Sequence, residues 1–152
     1  ISMIVSTIHK INEDMQKEID RLLHELSPDL GKLDAERVNK LLEDGSLILY
    51  VCKTDDNEIA GMLTLTHCET LTSTKYWIED VVVAQRFRGQ GIGRALVQAA
   101  VQHVRSMDSE SDCKVSRSIY LTSNPSRTAA RNLYRSEGFE DYDTGVFRIK
   151  LR

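Results

Sequence analysis

Three glycines spaced two residues apart, Gly89, Gly91 and Gly93, stand in the stretch "RFRGQGIGRAL" (86–96). Ahead of it, "YWIEDVVV" (76–83) is dense in β-branched residues at its end and reads as a strand. Behind it, residues 91–106 read as a helix. Ile92, Leu96, Ala99 and His103 fall on one stripe of that helix and Val97, Val101 and Val104 on the next, so most of it is covered. Glycine is a poor helix residue, and a helix that opens this way needs bare backbone for some reason. The first N–H groups of a helix have no internal partners, and the helix dipole leaves partial positive charge there. Without side chains in the way, those amides can cradle an anion, and Arg88 and Arg94 add full charge at the rim. A tight turn alone would explain one G-x-G. The strand, the helix and the flanking arginines together point to a phosphate site, most naturally a pyrophosphate. A dinucleotide fingerprint would need glycine where Arg94 stands, and a P-loop would need Lys-Ser/Thr after its last glycine.

Around this turn the chain alternates elements. Ile11, Met15, Ile19, Leu22, Leu23 and Leu26 recur at helical spacing, which predicts a helix over 12–26 capped by Asn12 and ended by Ser27-Pro28. Asp34 caps a second helix to about Leu42, and Asp44-Gly45 stops it. "LILYVCK" (47–53) and "IAGMLTLTH" (59–67) flank a polar turn as an antiparallel hairpin. "SMDSESDCK" (106–114) reads as a solvated loop, "SIYLT" (118–122) as a strand, and "NPSRTAARNLYRSEG" (124–138) as a capped helix ended by Gly138. "FEDYD" and "VFRIKL" are expected to close the chain as a strand pair around Thr144-Gly145. Helices, antiparallel strands and then strand–helix–strand–helix–strand make an α/β domain with a mixed sheet. At 152 residues it is expected as a single domain over 3–152, with Ile1-Ser2 a remnant ahead of Met3.

Composition narrows the classes. A net charge of −3 argues against a dedicated nucleic-acid binder. No apolar run reaches the roughly 20 residues of a membrane-spanning helix, and no secretory signal is read, so no membrane partner is expected. The three cysteines, Cys52, Cys68 and Cys113, form no C-x-x-C pair, and the four histidines share no ligand spacing with them. A reduced, cytoplasmic protein without a structural metal is the expectation.

Arg88-Gly89-Gln90-Gly91-Ile92-Gly93 matches the Q/R-x-x-G-x-G/A signature, and on it the chain resembles the GNAT superfamily of N-acetyltransferases. "IEDVVV" stands before it at the usual distance, and "LTSNPSRTAARNLYRSEGF" follows with the Asn, Tyr and Gly-Phe often seen there, so the resemblance covers essentially the whole chain. It implies the GNAT fold, a mixed and mostly antiparallel sheet flanked by helices. It also implies acetyl-CoA as donor, no metal, and direct attack by an acceptor amine without a covalent enzyme intermediate. Amides from Arg88 through Gly89, Gln90, Gly91, Ile92 and Gly93 to Arg94 would hold the pyrophosphate. The motif strand would bulge and part from its neighbour, with the pantetheine arm against backbone groups of Val81, Val82 and Val83. An amide near Val81 would serve the developing oxyanion, a donor worth about 3 kcal/mol. Val81–Val83 equally read as a buried strand. Asn124 would meet the pantetheine or simply cap its helix ahead of Pro125. Tyr134 would protonate the leaving thiolate or pack in the core.

An alkyl amine has a pKa of about 10, so a group must accept its proton. Glu79 and Asp80 are adjacent on one strand, and alternation lets only one face the substrate. Glu79 is favoured because it shares a face with Val81; a bulge would reverse this in favour of Asp80, and either residue would otherwise pair with a nearby cation. The acceptor is expected to be a small-molecule amine, contacted by loops 27–34 and 68–75. "IEDVVV" and "LLHELS" are similar to glucosamine-6-phosphate N-acetyltransferases, with Lys75 as a cationic group for the phosphate, although Tyr76-Trp77 departs from their pattern. Readings of other classes are an acetyl-CoA-binding sensor without efficient turnover and a nucleotide-binding module. "VFRIKL" offers a strand to a second copy, hence an expected homodimer.

Overall fold

Alternating apolar runs become the strands of a five-stranded sheet ordered β1-β2-β3-β4-β5 in the computed structural model, which describes residues 3–108 and 115–152. The strands are β1 (Ile4–Ile8), β2 (Leu47–Lys53), β3 (Ile59–Glu69), β4 (Ser73–Val83) and β5 (Ser116–Leu121). The first four pair antiparallel, and β5 lies parallel to β4. A parallel neighbour needs a crossover, supplied by α3 (Ile92–Asp108). All of these belong to one compact unit, Ile1–Thr122; Ser123–Arg152 form a second. β1, which the sequence reading did not anticipate, is an edge strand paired with β2 from Ile4↔Lys53 to Ile8↔Leu49.

α1 (Glu13–Leu26) and α2 (Ala35–Glu43) begin where their caps predict. The Asn12 side chain accepts from the Met15 amide at 2.8 Å, and Asp34 accepts from the amides of Glu36 and Arg37. Ile19 and Leu22 of α1 and Leu42 of α2 join Leu49, Val51, Met62, Val82 and Ala84 in one apolar cluster. Along β2 the intervening Tyr50 turns the other way, its ring against His103 of α3, so α3 covers the opposite face of the sheet. Leu96, Val97, Ala100 and Val104 are the buried stripe of α3. Gly61 lets that helix approach: a Cβ there would stand 2.9 Å from Cγ2 of Ile92 and 3.3 Å from Cδ1 of Leu96.

Several boundaries differ from expectation. α3 continues through 106–108, and the rest of the loop expected over 106–114 lies outside the described residues, as do residues 1–2. In the second unit, α4 (Thr128–Ser136) starts later than predicted. Asn124 is not its cap: the Asn124 side-chain oxygen accepts from the amide and hydroxyl of Ser126 at 2.9 and 2.8 Å, closing a turn, and Arg127 stands at the cap position. Gly138, at φ +97°, ends the helix as expected. The closing strand pair is not formed. Residues 139–152 carry no strand, and Phe147, Ile149 and Leu151 are 99%, 84% and 89% exposed. A two-stranded hairpin is marginal unless a face of it is buried, and these side chains are exposed. Among the described residues no helix is long and apolar enough to cross a membrane.

Candidate active site

The backbone irregularity expected in β4 is present. Thr64 faces Glu79 and Met62 faces Val82, so Leu63 alone opposes both Asp80 and Val81, a β-bulge. Asp80 takes φ +48°, a conformation asparagine and aspartate tolerate better than most side chains. What holds it is Thr64, a buried polar residue, whose hydroxyl donates to Oδ2 of Asp80 at 2.9 Å. This corrects the alternation argument. Directly opposed residues share a face, so Glu79 lies on Thr64's side of the sheet, and Asp80 reaches the same threonine. Both carboxylates therefore gather at one place. Partial burial pushes the Glu79 carboxyl above its ordinary range, and the negative charge of Asp80 pushes it further the same way.

Beside the bulge the sheet opens. Parallel pairing of β4 with β5 runs from Ser73↔Ser116 to Ile78↔Leu121 and stops there. From Glu79 to Val83 that edge of β4 has no partner strand among the described residues, and its backbone can receive an extended ligand. One acceptor on this stretch is already used: Nε of Arg88 donates to the Val83 carbonyl at 3.1 Å, tying the following turn to the strand end. Val82 is buried in the apolar cluster, while Val81 and Val83 are half-buried.

A single 3-10 turn, Gln85–Phe87, leads into the glycines. Gly89 and Gly91 stand at φ +79° and +80°. A Cβ at either would meet nothing within 4 Å, so packing does not demand glycine here. The left-handed backbone does, and it leaves the space outside the turn open. Gly89, Gln90 and Gly91 are exposed. The Ala95 amide donates to Gly91 O at 3.0 Å, which leaves the Ile92 and Gly93 amides ahead of the α3 ladder. The Ile92 side chain is buried and anchors the helix start, and Arg94 is exposed on the first turn. The arrangement suits a diphosphate: amides at a helix start, flexed by two left-handed glycines, between two arginines.

Asn124 and Tyr134 lie in the second unit. Tyr134 is buried, its ring edge-on to Phe139 with centroids 6.2 Å apart. Burial pushes its phenol up, and Arg127 pulls it partly back. The loop over 27–34 is tied to α1, for the Leu33 amide donates to Asp20 at 3.0 Å and Gln16 donates to the Leu33 carbonyl at 2.8 Å. The expected loop 68–75 shrinks to a turn at 70–72, because β3 and β4 extend through Glu69 and from Ser73. Sequence reasoning missed Thr64, although a threonine at an inward position of "GMLTLTH" marks a buried hydroxyl that needs a partner. It also missed Trp77 and Tyr120, cross-strand partners whose rings stack with centroids 5.0 Å apart at 28°.

The sequence profile described as the acetyltransferase (GNAT) family matches residues 11–139. No curated protein sequence matches the chain. Among solved structures, an aminoglycoside acetyltransferase from an uncultured soil metagenomic sample, crystallised with trehalose, superimposes at a TM-score of 0.81 with 19% identity, over 99% of this chain and 97% of that one. Glucosamine-6-phosphate N-acetyltransferase from Arabidopsis thaliana gives 0.76 at 20% identity, over 98% and 99%. A Trypanosoma brucei acetyltransferase gives 0.74 at 21%, over 99% and 100%. At such identities these likenesses establish the fold.

Proposed function

Because the chain belongs to the acetyltransferase (GNAT) family, and is on that ground an acetyltransferase, we propose that it moves an acetyl group from acetyl-CoA to the primary amine of a small molecule, by direct attack in a ternary complex. Acetyl-CoA, which the family uses, supplies an acyl group activated as a thioester. In this reading the amides of Gly89, Gln90, Gly91, Ile92 and Gly93, with the guanidinium groups of Arg88 and Arg94, grip the diphosphate. The unpaired edge of β4 at Val81–Val83 receives the pantetheine arm as a further strand, and the Val81 amide is the donor for charge developing on an acyl oxygen.

Glu79 is the base. A carboxyl pushed up by burial and by a neighbouring charge is better matched to proton transfer near neutral pH than an ordinary one. Asp80, fixed by Thr64, keeps an incoming ammonium beside Glu79 until it loses its proton. Tyr134 holds a phenolic proton at Oη that a departing thiolate can take, and Asn124 is the side chain assigned to the pantetheine. The observation that carries this reading is the coincidence of two features. The bulge that gathers the carboxylates falls where β4 loses β5 as its partner, a few residues before the glycine turn.

The test is thiol release from acetyl-CoA against a panel of small amines, glucosamine 6-phosphate among them as the alternative acceptor. Turnover with at least one amine is expected, falling about 100-fold in Glu79→Gln. Release with peptide N-termini alone, or wild-type rates in Glu79→Gln, would overturn the acceptor class or the base.

A further inference from the structure

Lys75, Trp77 and Glu79 occupy alternate positions of β4 and so share a face. Trp77 stacks on Tyr120 of β5, and Nζ of Lys75 lies 5.7 Å from the centroid of the Tyr120 ring. Both rings are half-buried, and neither belongs to the apolar cluster under α1 and α2, where β4 contributes Val82. Along the strand the order is therefore cation, stacked aromatic pair, carboxylates. We infer that this strip is the acceptor platform, and that the acceptor is a primary amine carried by a flat aromatic body.

The inference rests on the acetyl-transfer reading and names the substrate class of that same site. Charge sets the direction of binding. An ammonium is drawn to Glu79 and Asp80 and repelled by Lys75, so the ring is left over Trp77 and Tyr120. The two-residue step from Trp77 to Glu79 is roughly 7 Å, which suits an amine two methylenes from its ring. The rings are already fixed against each other, so a flat ligand meets a preorganised surface at little entropic cost. An aliphatic amine of the same length satisfies the carboxylates but brings no aromatic face to the ring pair.

Trp77 is the only tryptophan in the chain, so tryptophan emission, excited where tyrosine does not absorb, reports on this strip alone. The full chain is titrated with 2-phenylethylamine and with n-hexylamine, first without acetyl-CoA and then in the thiol-release assay. The expected result is a saturable change in Trp77 emission with 2-phenylethylamine and about a tenfold preference for it in kcat/KM. Tyr120→Leu, which keeps the reporter, and Trp77→Leu should both lose that preference, kcat/KM for 2-phenylethylamine falling toward that for n-hexylamine, with circular dichroism checking the fold. Equal kcat/KM for the two amines with unmoved emission would overturn the platform and leave acetyl transfer standing; such a result would make the ring pair sheet packing only. A saturable emission change without acetyl transfer to any amine would instead overturn the acetyl-transfer reading while the ring site remained.

Discussion

Thr64 and Asp80 are joined across two strands: the hydroxyl of one donates to the carboxylate of the other at 2.9 Å, and Asp80 stands in the left-handed region at φ +48°. The bond and the bulge support each other. The bulge turns Asp80 back toward β3, and the threonine gives that strained residue a reason to stay. Glu79, opposite the same threonine, then has a negative neighbour that alternation would have sent to the other face.

Asp80→Asn removes the second of the two causes that raise the Glu79 carboxyl, and leaves burial. A base works only when deprotonated, so the acid limb of kcat/KM should lie above the ordinary carboxylate range in the wild type and move to lower pH in Asp80→Asn. Thr64→Val keeps the shape and loses the hydroxyl, which should cost about 1 kcal/mol in urea unfolding. An acid limb that stays in place in Asp80→Asn would show that the two carboxylates do not share one environment in solution.

At Gly91 two effects have to be separated. Any side chain there carries the strain of φ +80°, while only an acidic one opposes a diphosphate. Gly91→Ala should therefore lose about 1 kcal/mol of stability and bind coenzyme A within about tenfold of wild type by calorimetry. Gly91→Glu should fold as well as the alanine variant and show no binding. Similar affinity in both would place the phosphates elsewhere.

The glycine turn and the elements around it were legible because each depends on local chemistry. Asn12 and Asp34 cap the helices they precede, and the two left-handed glycines sit where bare backbone was expected. What was not legible depends on partners distant in sequence. Thr64 and Asp80 meet across a register shift, and Trp77 and Tyr120 across a parallel pairing whose crossover passes through α3. Asn124-Pro125 imitates a helix start, yet the Asn124 side chain spends its oxygen on Ser126, a contest between turn and cap that spacing does not decide. "VFRIKL" has a strand's alternation, yet its apolar side chains are exposed, and alternation alone does not supply a strand's partner.

Tyr50 tests the packing under α3. It is 3% exposed, its hydroxyl has no partner among the described residues, and burial pushes the phenol up to about 12. Nε2 of the neighbouring His103 is likewise buried without a partner. The two rings meet edge to face at 6.2 Å, so the contact is between rings rather than polar atoms. Tyr50→Phe keeps that contact and removes a desolvated hydroxyl, and should raise stability by about 1 kcal/mol in urea at an unchanged m-value. A loss of stability would show that the hydroxyl is hydrogen-bonded in solution.

His24 gives the loop over 27–34 a dependence on pH. Its Nδ1 lies 2.7 Å from the Asp20 carbonyl and its Nε2 2.8 Å from the Leu30 carbonyl. Both neighbours are acceptors, so both ring nitrogens must carry hydrogen, and only the imidazolium makes the two bonds together. The Asp20 carbonyl is the largest cause raising the His24 pKa; burial opposes it, and the Leu30 carbonyl and the Asp20 charge add to it. A group raised in this way contributes its full stabilisation below the ordinary imidazole pKa and loses it as pH rises through the higher folded value. Beyond that point one nitrogen turns a lone pair toward a carbonyl, so the neutral ring keeps only one of its two bonds and its hold on the Leu30 carbonyl weakens, while the bonds of Asp20 and Gln16 to Leu33 remain. The His24 ring should titrate above free imidazole by NMR. Amide exchange at Leu30–Leu33, corrected for the intrinsic rise with pH, should accelerate over the same interval in the wild type and be fast throughout in His24→Ala. Corrected exchange that ignores the His24 titration would mean that the loop is held by Asp20 and Gln16 alone.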